Sequence, residues 1–163
     1  MNYSDIFMYS DGFLYWKKSC DYRVKVGDVA GFEHSSGYVA VSVDSKLKLA
    51  HRVIWEMLRG EIPQNMEIDH IDKCRKNNKI ENLRLVSRDE NLKNKGMYKC
   101  NKSGVTGVIF NKQNSKWAAN IRVKGKLKHL GYYADFEDAC KARYSAENFY
   151  GFSPSHGKNW SDL

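Results

Sequence analysis

Asp69 and His70 stand side by side in the chain, and together they could hydrolyse a phosphodiester bond. A histidine with a pKa near neutrality can take a proton from the attacking water. A carboxylate oxygen can hold a hard divalent cation, which neutralises charge as the leaving oxygen departs. Near a strand end the two side chains point to opposite faces, so the aspartate can hold the metal while the histidine faces the water. The metal needs a second protein oxygen, and Asn91 could supply it from a helix packed across the hairpin.

The residues around this pair predict a strand, a polar loop, a second strand and a helix. The segment MEIDHI predicts a short strand that ends near His70, and NLRLV predicts its partner after the polar loop KCRKNNK. Ser87 and Glu90 form an S-x-x-E capping box, so a helix should begin at Arg88 and end at Gly96. The candidate second metal ligand therefore lies near the start of this helix.

The residues before this segment predict short strands followed by one helix. GFLYW and GYVAVSV are apolar or alternating, and glycines separate them. LAHRVIWEMLRG has apolar residues at helical spacing, with Gly60 as a C-terminal stop. His51 lies on this apolar helix, so we expect it to have a structural rather than a catalytic role.

The motif IDHID…NN…ENLRLV…ENLKNK, preceded by AHRVIWEMLRGEIP, resembles the HNH endonucleases of the phage and intron homing type. The resemblance implies a ββα-metal site, with His70 as general base and Asp69 and Asn91 as ligands of Mg²⁺ or Mn²⁺. It gives Asn82 a structural role in which its side chain bonds the loop backbone and so holds His70. It also implies a phosphate contact for Arg84. The last histidine of the HNH motif is an asparagine here, as it is among the homing-type members.

One position departs from the family pattern, because Lys73 stands where these enzymes often have glycine. The cysteine pairs that bind zinc in some relatives are also missing: Cys20, Cys74, Cys100 and Cys140 form no CxxC pair. We therefore expect reduced thiols, and a site held together by hydrophobic packing.

The charge distribution indicates a polyanionic partner. The 163 residues carry a net charge of +8 and have a pI near 9.3. The window from Asn91 to Ala134 contains ten lysines or arginines and no acidic residue. A solvated face usually mixes signs, so a long acid-free run favours a surface that follows phosphates. A protein that is merely basic and soluble is the alternative that charge alone leaves open.

The second half predicts a three-stranded sheet followed by a helix. TGVIF, KWAANIRV and KHLGYY are strand candidates, NKQNS and KGK are turn candidates, and Asp135 should cap a helix from about Phe136. Alternation in the middle strand places Trp117, Ala119, Ile121 and Val123 on an apolar face that should pack on the helix. The opposite face, with Ala118, Asn120, Arg122 and Lys124, should be exposed, flat and basic. Such a sheet can enter a major groove and contact base edges.

The second half resembles the ethylene-response-factor type DNA-binding domain of plants. The motifs that carry this resemblance are TGV, KWAANIR and LGYY, the last followed after one residue by DFEDA. That resemblance makes Asn120 and Arg122 the expected base or phosphate contacts. The full set of DNA-binding residues expected in this half is Asn111, Lys112, Lys116, Asn120, Arg122, Lys124 and His129.

The expected fold class is α+β. It consists of a small ββα-metal nuclease module that follows short strands and a helix and precedes a three-stranded antiparallel sheet packed on one helix. The expected domains are an endonuclease domain over 1–96 with its core at 66–96, a basic linker over 97–103, a DNA-binding domain over 104–152 and a tail over 153–163. We expect no signal peptide and no membrane span, and hence a cytoplasmic location.

The expected function is that of a metal-dependent DNA endonuclease that leaves a 5′-phosphate and a 3′-hydroxyl. One chain holds one site, so a monomer should nick one strand of double-stranded DNA, and cutting both strands would need a dimer or a second event. Two other classes stay open: a sequence-specific DNA-binding protein whose nuclease fold is inert, and a basic RNA-binding protein. Metal-dependent cleavage that is lost in His70→Ala would exclude the inert DNA-binding protein. The binding preference between duplex DNA and structured RNA would distinguish the nuclease from the RNA-binding protein.

Overall fold

The α+β fold class predicted from the sequence is confirmed. The structure, a computed structural model, describes residues 2–19, 22–98 and 100–158. It divides into two compact units, Met1–Ser87 and Arg88–Leu163. Cys20 and residues 159–163 of the expected tail lie outside the described residues, whereas Cys74, Cys100 and Cys140 are free thiols.

Within its described residues, the first unit contains two three-stranded antiparallel sheets, one α-helix and a two-stranded hairpin. The first sheet has the strands β1 (Phe7–Ser10), β2 (Phe13–Trp16) and β3 (Val29–Ala30) in that order. The second sheet has β4 (Phe32–Glu33), β5 (Val39–Val43) and β6 (Lys46–Leu49) in that order. The helix α1 (Ala50–Arg59) follows, and the antiparallel hairpin of β7 (Met66–His70) and β8 (Leu83–Ser87) completes the unit.

One hydrophobic cluster joins these elements. The α1 side chains of Val53 and Ile54 are completely buried and belong to the same cluster as Phe7 of β1. Ile68 of β7 and Leu83 of β8 are members of this cluster too, so burial of their apolar surface anchors the hairpin at the strand end that carries the candidate site. The predicted end of α1 is confirmed at Gly60, which has a left-handed φ of 91°.

In the part of the second unit that the structure describes there are two α-helices and one antiparallel sheet. Its elements are α2 (Arg88–Lys93), β9 (Val108–Asn111), β10 (Lys116–Val123), β11 (Lys126–Tyr133) and α3 (Phe136–Phe149). β10 lies between β9 and β11, and α3 packs on the apolar face through Ala139, which is buried with Val108 and Ala119. The two turns and the start of α3 predicted from the sequence are confirmed.

The predicted end of α2 at Gly96 is wrong, because the helix ends at Lys93. The backbone after it pairs with the C-terminal segment: Gly157 N–H donates to Lys95 O at 2.9 Å, and Met97 N–H donates to Lys158 O at 3.1 Å. Helical and strand-like hydrogen bonding compete for the same backbone groups. The last residue of α2 bonds the same segment, since Ser153 N–H donates to Lys93 O at 3.2 Å. The two compact units divide before α2, and the domain boundaries expected from the sequence stay a prediction.

The prediction that Ala118 lies on an exposed face is wrong, because its exposed fraction is 3%. Ala118 pairs with Ile109 of β9 and Tyr132 of β11, and these larger cross-strand neighbours cover its methyl group. A register shift between Ala119 and Asn120 also interrupts the sheet, so its outer face is not the flat surface that alternation predicts.

Candidate active site

The candidate pair lies at the end of β7. Asp69 stands opposite Arg84 in the hairpin register, and His70 stands opposite Leu83. Asp69 is 9% exposed and His70 is 4% exposed, so both polar side chains are withdrawn from bulk water. Burial of polar groups is unfavourable unless hydrogen bonds or charges compensate it. The hydrogen-bond and ion-pair partners of each side chain therefore indicate which groups the site can bind.

Two cations contact the Asp69 carboxylate. The guanidinium of Arg84 donates to Oδ2 twice, from Nη2 at 2.7 Å and from Nε at 3.0 Å, and the ammonium Nζ of Lys73 lies 3.5 Å from the same oxygen. Burial lowers the pKa of Lys73, and the nearby guanidinium acts in the same direction, while Asp69 opposes both. The site thus places positive charge directly beside the carboxylate expected to hold a metal.

Lys73 adopts the left-handed conformation that a glycine would favour. Its φ is 65°, and its N–H donates to His70 O at 3.1 Å to close the turn after β7. A non-glycine residue in this region costs roughly 1–2 kcal/mol. Family members often have glycine here, and the backbone conformation gives the physical reason for that preference.

Asn82 joins both ends of the loop between the two strands. Its Oδ1 accepts from Asp72 N–H at 3.0 Å, and its Nδ2 donates to Asp72 Oδ1 at 2.9 Å and to Asn77 O at 2.8 Å. Burial raises the pKa of the Asp72 carboxyl, but donors from Asn77, Asn82 and the Cys74 N–H outweigh it and lower the pKa overall. These are the contacts that a loop-holding role for Asn82 requires.

Asn78, which the sequence did not single out, contacts His70 directly. Its Oδ1 lies 3.0 Å from Nε2 of the imidazole, and its exposed fraction is 3%. The signal available in the sequence was the second asparagine of the NN pair in the loop. Local sequence does not show which of several loop asparagines reaches a histidine, because this depends on the path of the loop.

His51 of α1 packs edge-on against His70, with 5.1 Å between the ring centroids. Burial lowers the pKa of His51 to about 3, and the electrostatic effects of His70 and Arg52 act in the same direction. Among the described residues, its Nδ1 is buried without a hydrogen-bond partner. The ring of Tyr38 lies 5.2 Å from His51 and 5.9 Å from His70, so the two imidazoles share an aromatic pocket.

The residues present fit a divalent cation through the Asp69 carboxylate, a hard oxygen donor whose partners include the Lys73 ammonium and the Arg84 guanidinium. Within the described ranges, no group of three histidine, cysteine, aspartate or glutamate side chains could hold a metal. A metal would therefore depend on amide and substrate oxygens beside this carboxylate. Asn91 lies in α2, in the second unit, and its role as second ligand stays a prediction from the resemblance.

The expected DNA-binding residues of the second half lie along its sheet. Asn111 ends β9 and accepts from Gln113 N–H at 2.9 Å, while Lys112 is in the following turn and Lys116 opens β10. Asn120 and His129 form a cross-strand pair, with 3.0 Å between Oδ1 and Nδ1.

The basic residues at the β10–β11 turn are exposed. Arg122 Nη1 donates to Gly125 O at 3.0 Å, and Lys124 lies in the turn. Apolar side chains interrupt the basic character of this face, since Leu127 and Tyr132 of β11 are 62% and 50% exposed.

Comparison with known proteins relates one segment of the chain to a known family. Residues 48–93 match the family model described as HNH endonuclease. The chain is 37% identical over 76 residues to Protein 3.8 of Escherichia phage T7, and this match covers 47% of the chain and 63% of that relative. It is 36% identical over 86 residues to Uncharacterized HNH endonuclease L560 of Acanthamoeba polyphaga mimivirus, covering 52% of the chain and 45% of that relative. The chain thus spans less than two thirds of either protein.

Two findings limit what these matches establish. No solved structure gave a significant match. The family match ends at residue 93, before β9, so the likeness of the second half to an ethylene-response-factor type domain stays a prediction.

In the described part of the chain, no helix combines the length and the apolar character that crossing a membrane demands. Residues 48–93, which contain Asp69, His70 and Asn82, form an HNH endonuclease family domain.

Proposed function

We propose that this protein is a metal-dependent DNA endonuclease with His70 as general base and Asp69 as metal ligand. The observation that carries the proposal is the arrangement at the end of β7. There the buried His70, whose Nε2 is hydrogen-bonded, adjoins the buried Asp69 carboxylate, which lies beside positive charge. Both residues belong to the segment that matches HNH endonucleases. A histidine fixed in this way can accept a proton from water through its other ring nitrogen.

Each residue of the proposed site has a separate task. Bound Mg²⁺ or Mn²⁺ would neutralise charge on the scissile phosphate and the leaving oxygen. Asp69 would hold the ion through a carboxylate oxygen, with the Asn91 amide as the second ligand implied by the resemblance. Arg84 would contact the phosphate, since its side chain is 46% exposed and guanidinium groups bind phosphate bidentately. Asn82, at the end of the loop, would keep it closed through its bonds to Asp72 near the start and Asn77 in the middle.

The expected products are a 5′-phosphate and a 3′-hydroxyl, and one site in each chain predicts that a monomer nicks one strand. We further propose that the sheet of the second unit binds duplex DNA. Asn120, Arg122 and His129 are its central contacts, and Lys112, Lys116 and Lys124 add contacts with phosphate. The acid-free run from Asn91 to Ala134 supports this, because cations without neighbouring acids release counterions when they meet phosphates.

The test of the nuclease is cleavage of supercoiled plasmid and of phage genomic DNA with Mg²⁺, with Mn²⁺ and with chelator. Wild type is expected to nick only with metal, and His70→Ala is expected to lose nicking while it still binds DNA. His34→Ala is the matched control, because His34 pairs with Ser36 at 2.7 Å on an exposed loop of the same unit. Cleavage that survives in His70→Ala would contradict the assignment of the base.

A specific observation favours one second candidate, a DNA-binding protein with an inert nuclease fold. Arg84 and Lys73 already contact the Asp69 carboxylate, and a metal would have to compete with both. This candidate predicts duplex binding without metal-dependent cleavage of any DNA tested. Affinity for duplex DNA and for structured RNA, measured at several salt concentrations, would also separate both candidates from an RNA-binding protein.

The DNA-binding sheet has its own test. Arg122→Ala is expected to weaken duplex binding and to reduce the slope of log affinity against log salt by about 1 if it contacts a phosphate. If it contacts a base, the variant should instead relax sequence preference and leave that slope unchanged. An affinity identical to wild type at every salt concentration would exclude Arg122 from the interface.

A further inference from the structure

Asn78 and His70 form a buried polar pair apart from the candidate metal ligand. Oδ1 of Asn78 and Nε2 of His70 are 3.0 Å apart, and the exposed fractions of the two residues are 3% and 4%. Neither bulk water nor a flexible surface side chain competes for this bond. Such a bond fixes both the rotation of the imidazole and the position of its proton.

The chemistry of the two groups determines which nitrogen carries the proton. A carboxamide oxygen can only accept, so Nε2 must donate to it. A neutral imidazole has one N–H and one lone pair, and the lone pair then lies on Nδ1. From this geometry we propose that Asn78 is a positioning residue that fixes His70 as the Nε2–H tautomer. Its catalytic consequence, that Nδ1 accepts the proton from water, rests on the proposed nuclease function.

The N-terminal hairpin holds the segment that carries Asn78. Tyr9 of β1 accepts from the Ile80 N–H at 3.0 Å through its hydroxyl. In the β1–β2 turn, Asp11 forms an ion pair of 2.8 Å with Lys79. These contacts place one side chain from β1 and one from the turn on Lys79 and Ile80, the two residues that directly follow Asn78.

Gly12, in the same turn, allows the closest approach between the two segments. Its φ is +88°, and a Cβ there would lie 3.0 Å from Lys79 N and 3.3 Å from the carbonyl carbon of Asn78. The backbone of the turn therefore packs directly on the loop, and no larger residue fits without a shift. The sequence does not indicate a role for the first strands. In the structure, β1 and the β1–β2 turn pack on the loop that carries Asn78 and hold it in place.

The alternative is that Asn78 only satisfies a buried polar atom and that its loss costs stability alone. Long-range proton–nitrogen correlation spectra of histidine-labelled protein distinguish the two cases, with the His70 signals identified by their absence in His70→Ala. At pH 8.5, wild type should show a protonated Nε2, an unprotonated Nδ1 and an Nε2–H that exchanges slowly with solvent.

Three variants complete the experiment. Asn78→Leu removes the acceptor and should give fast exchange of the Nε2 proton, whereas Asn78→Asp keeps an acceptor oxygen and should preserve slow exchange. Asn77→Ala is the matched control, because it removes the bonds of the neighbouring side chain to Asp72 and to the Lys79 N–H and keeps the bond between Asn78 and His70. It should leave the His70 spectrum unchanged. If Asn78→Leu does not fold, the wild-type and Asn78→Asp spectra still decide the tautomer.

Cleavage kinetics then test the consequence for catalysis. Loss of a residue that orients a catalytic group typically costs 10–100-fold, so Asn78→Leu should lower kcat by about that factor with KM unchanged, and Asn78→Asp should restore most of it. A wild-type Nδ1–H tautomer overturns the proposal, and so does a full kcat in folded Asn78→Leu. Absence of cleavage in wild type would overturn the proposed function, and the spectra would still decide the tautomer.

Discussion

Replacement of His51 by leucine should remove a defined part of the pH dependence of stability in the first unit. His51 is 5% exposed, and burial lowers its pKa from 6.5 to about 3 in the folded chain. The groups that face it are the rings of Tyr38 and His70, with Arg52 beside it on α1. Below pH 6.5 the unfolded chain takes up a proton at this position and the folded chain does not. Protonation therefore favours unfolding, and stability is lost as the pH falls from 6.5 towards 3.

The size of the effect follows from the two pKa values. With 6.5 for the unfolded chain and about 3 for the folded chain, the contribution of His51 to the free energy of unfolding should fall by about 2 kcal/mol between pH 8 and pH 5. Leucine cannot titrate, so the difference between wild type and His51→Leu should shift by this amount. Taking the difference removes the contributions that carboxylates and His156 make to both proteins.

Amide hydrogen exchange of Val53 and Ile54 is the suitable assay. Both residues are completely buried in α1, so their slow exchange reports opening of the first unit. A single global unfolding energy is not suitable, because the chain has two compact units. His34→Leu is the control for loss of a histidine from the same unit, and it should keep the wild-type pH dependence of α1.

A constant difference between wild type and His51→Leu across this pH range, within about 0.5 kcal/mol, would refute the reasoning. It would mean that His51 accepts a proton in the folded chain as readily as in the unfolded chain. A difference that moved in the opposite direction would mean that the folded state stabilises the charged imidazole, contrary to the burial around it.

Three further substitutions should have distinct effects. Lys73→Gly should raise stability by about 1 kcal/mol, since it relieves a left-handed residue. It should also tighten Mn²⁺ binding in calorimetry because a competing cation leaves Asp69, and weaker binding would contradict this. Asn82→Ala should destabilise the first unit by about 1–3 kcal/mol, because it leaves buried loop groups unpaired, and rapid exchange of the loop amides would report it. Gly107→Ala should destabilise the second unit by at least about 1 kcal/mol, because φ is +82° and a Cβ would overlap the carbonyl oxygen of Asn120. Amide hydrogen exchange in β10 should become faster, while the amides of α1 in the first unit should stay protected.

Local patterns were sufficient to predict most of the secondary structure. The apolar spacing around Val53 and the stop at Gly60 predicted α1, and alternation with turn residues predicted β10 and β11. These signals succeed because side-chain direction repeats with the period of the element. The errors lie where distant segments compete: α2 ends at Lys93 because the C-terminal segment takes the following backbone groups, and Ala118 is buried because neighbouring strands carry larger side chains.

The sequence by itself determined the chemistry available to this protein, a carboxylate adjoining a histidine within a recognisable motif. Only the tertiary structure decided which groups surround them. Asn78 comes from the loop and His51 from α1, and both reach His70 because β7 ends inside the shared core. Such contacts depend on the path of the chain between distant positions, and no periodic pattern encodes that path. The pairing of Asp69 with Arg84 follows from the hairpin register, which burial of Ile68 and its neighbours fixes.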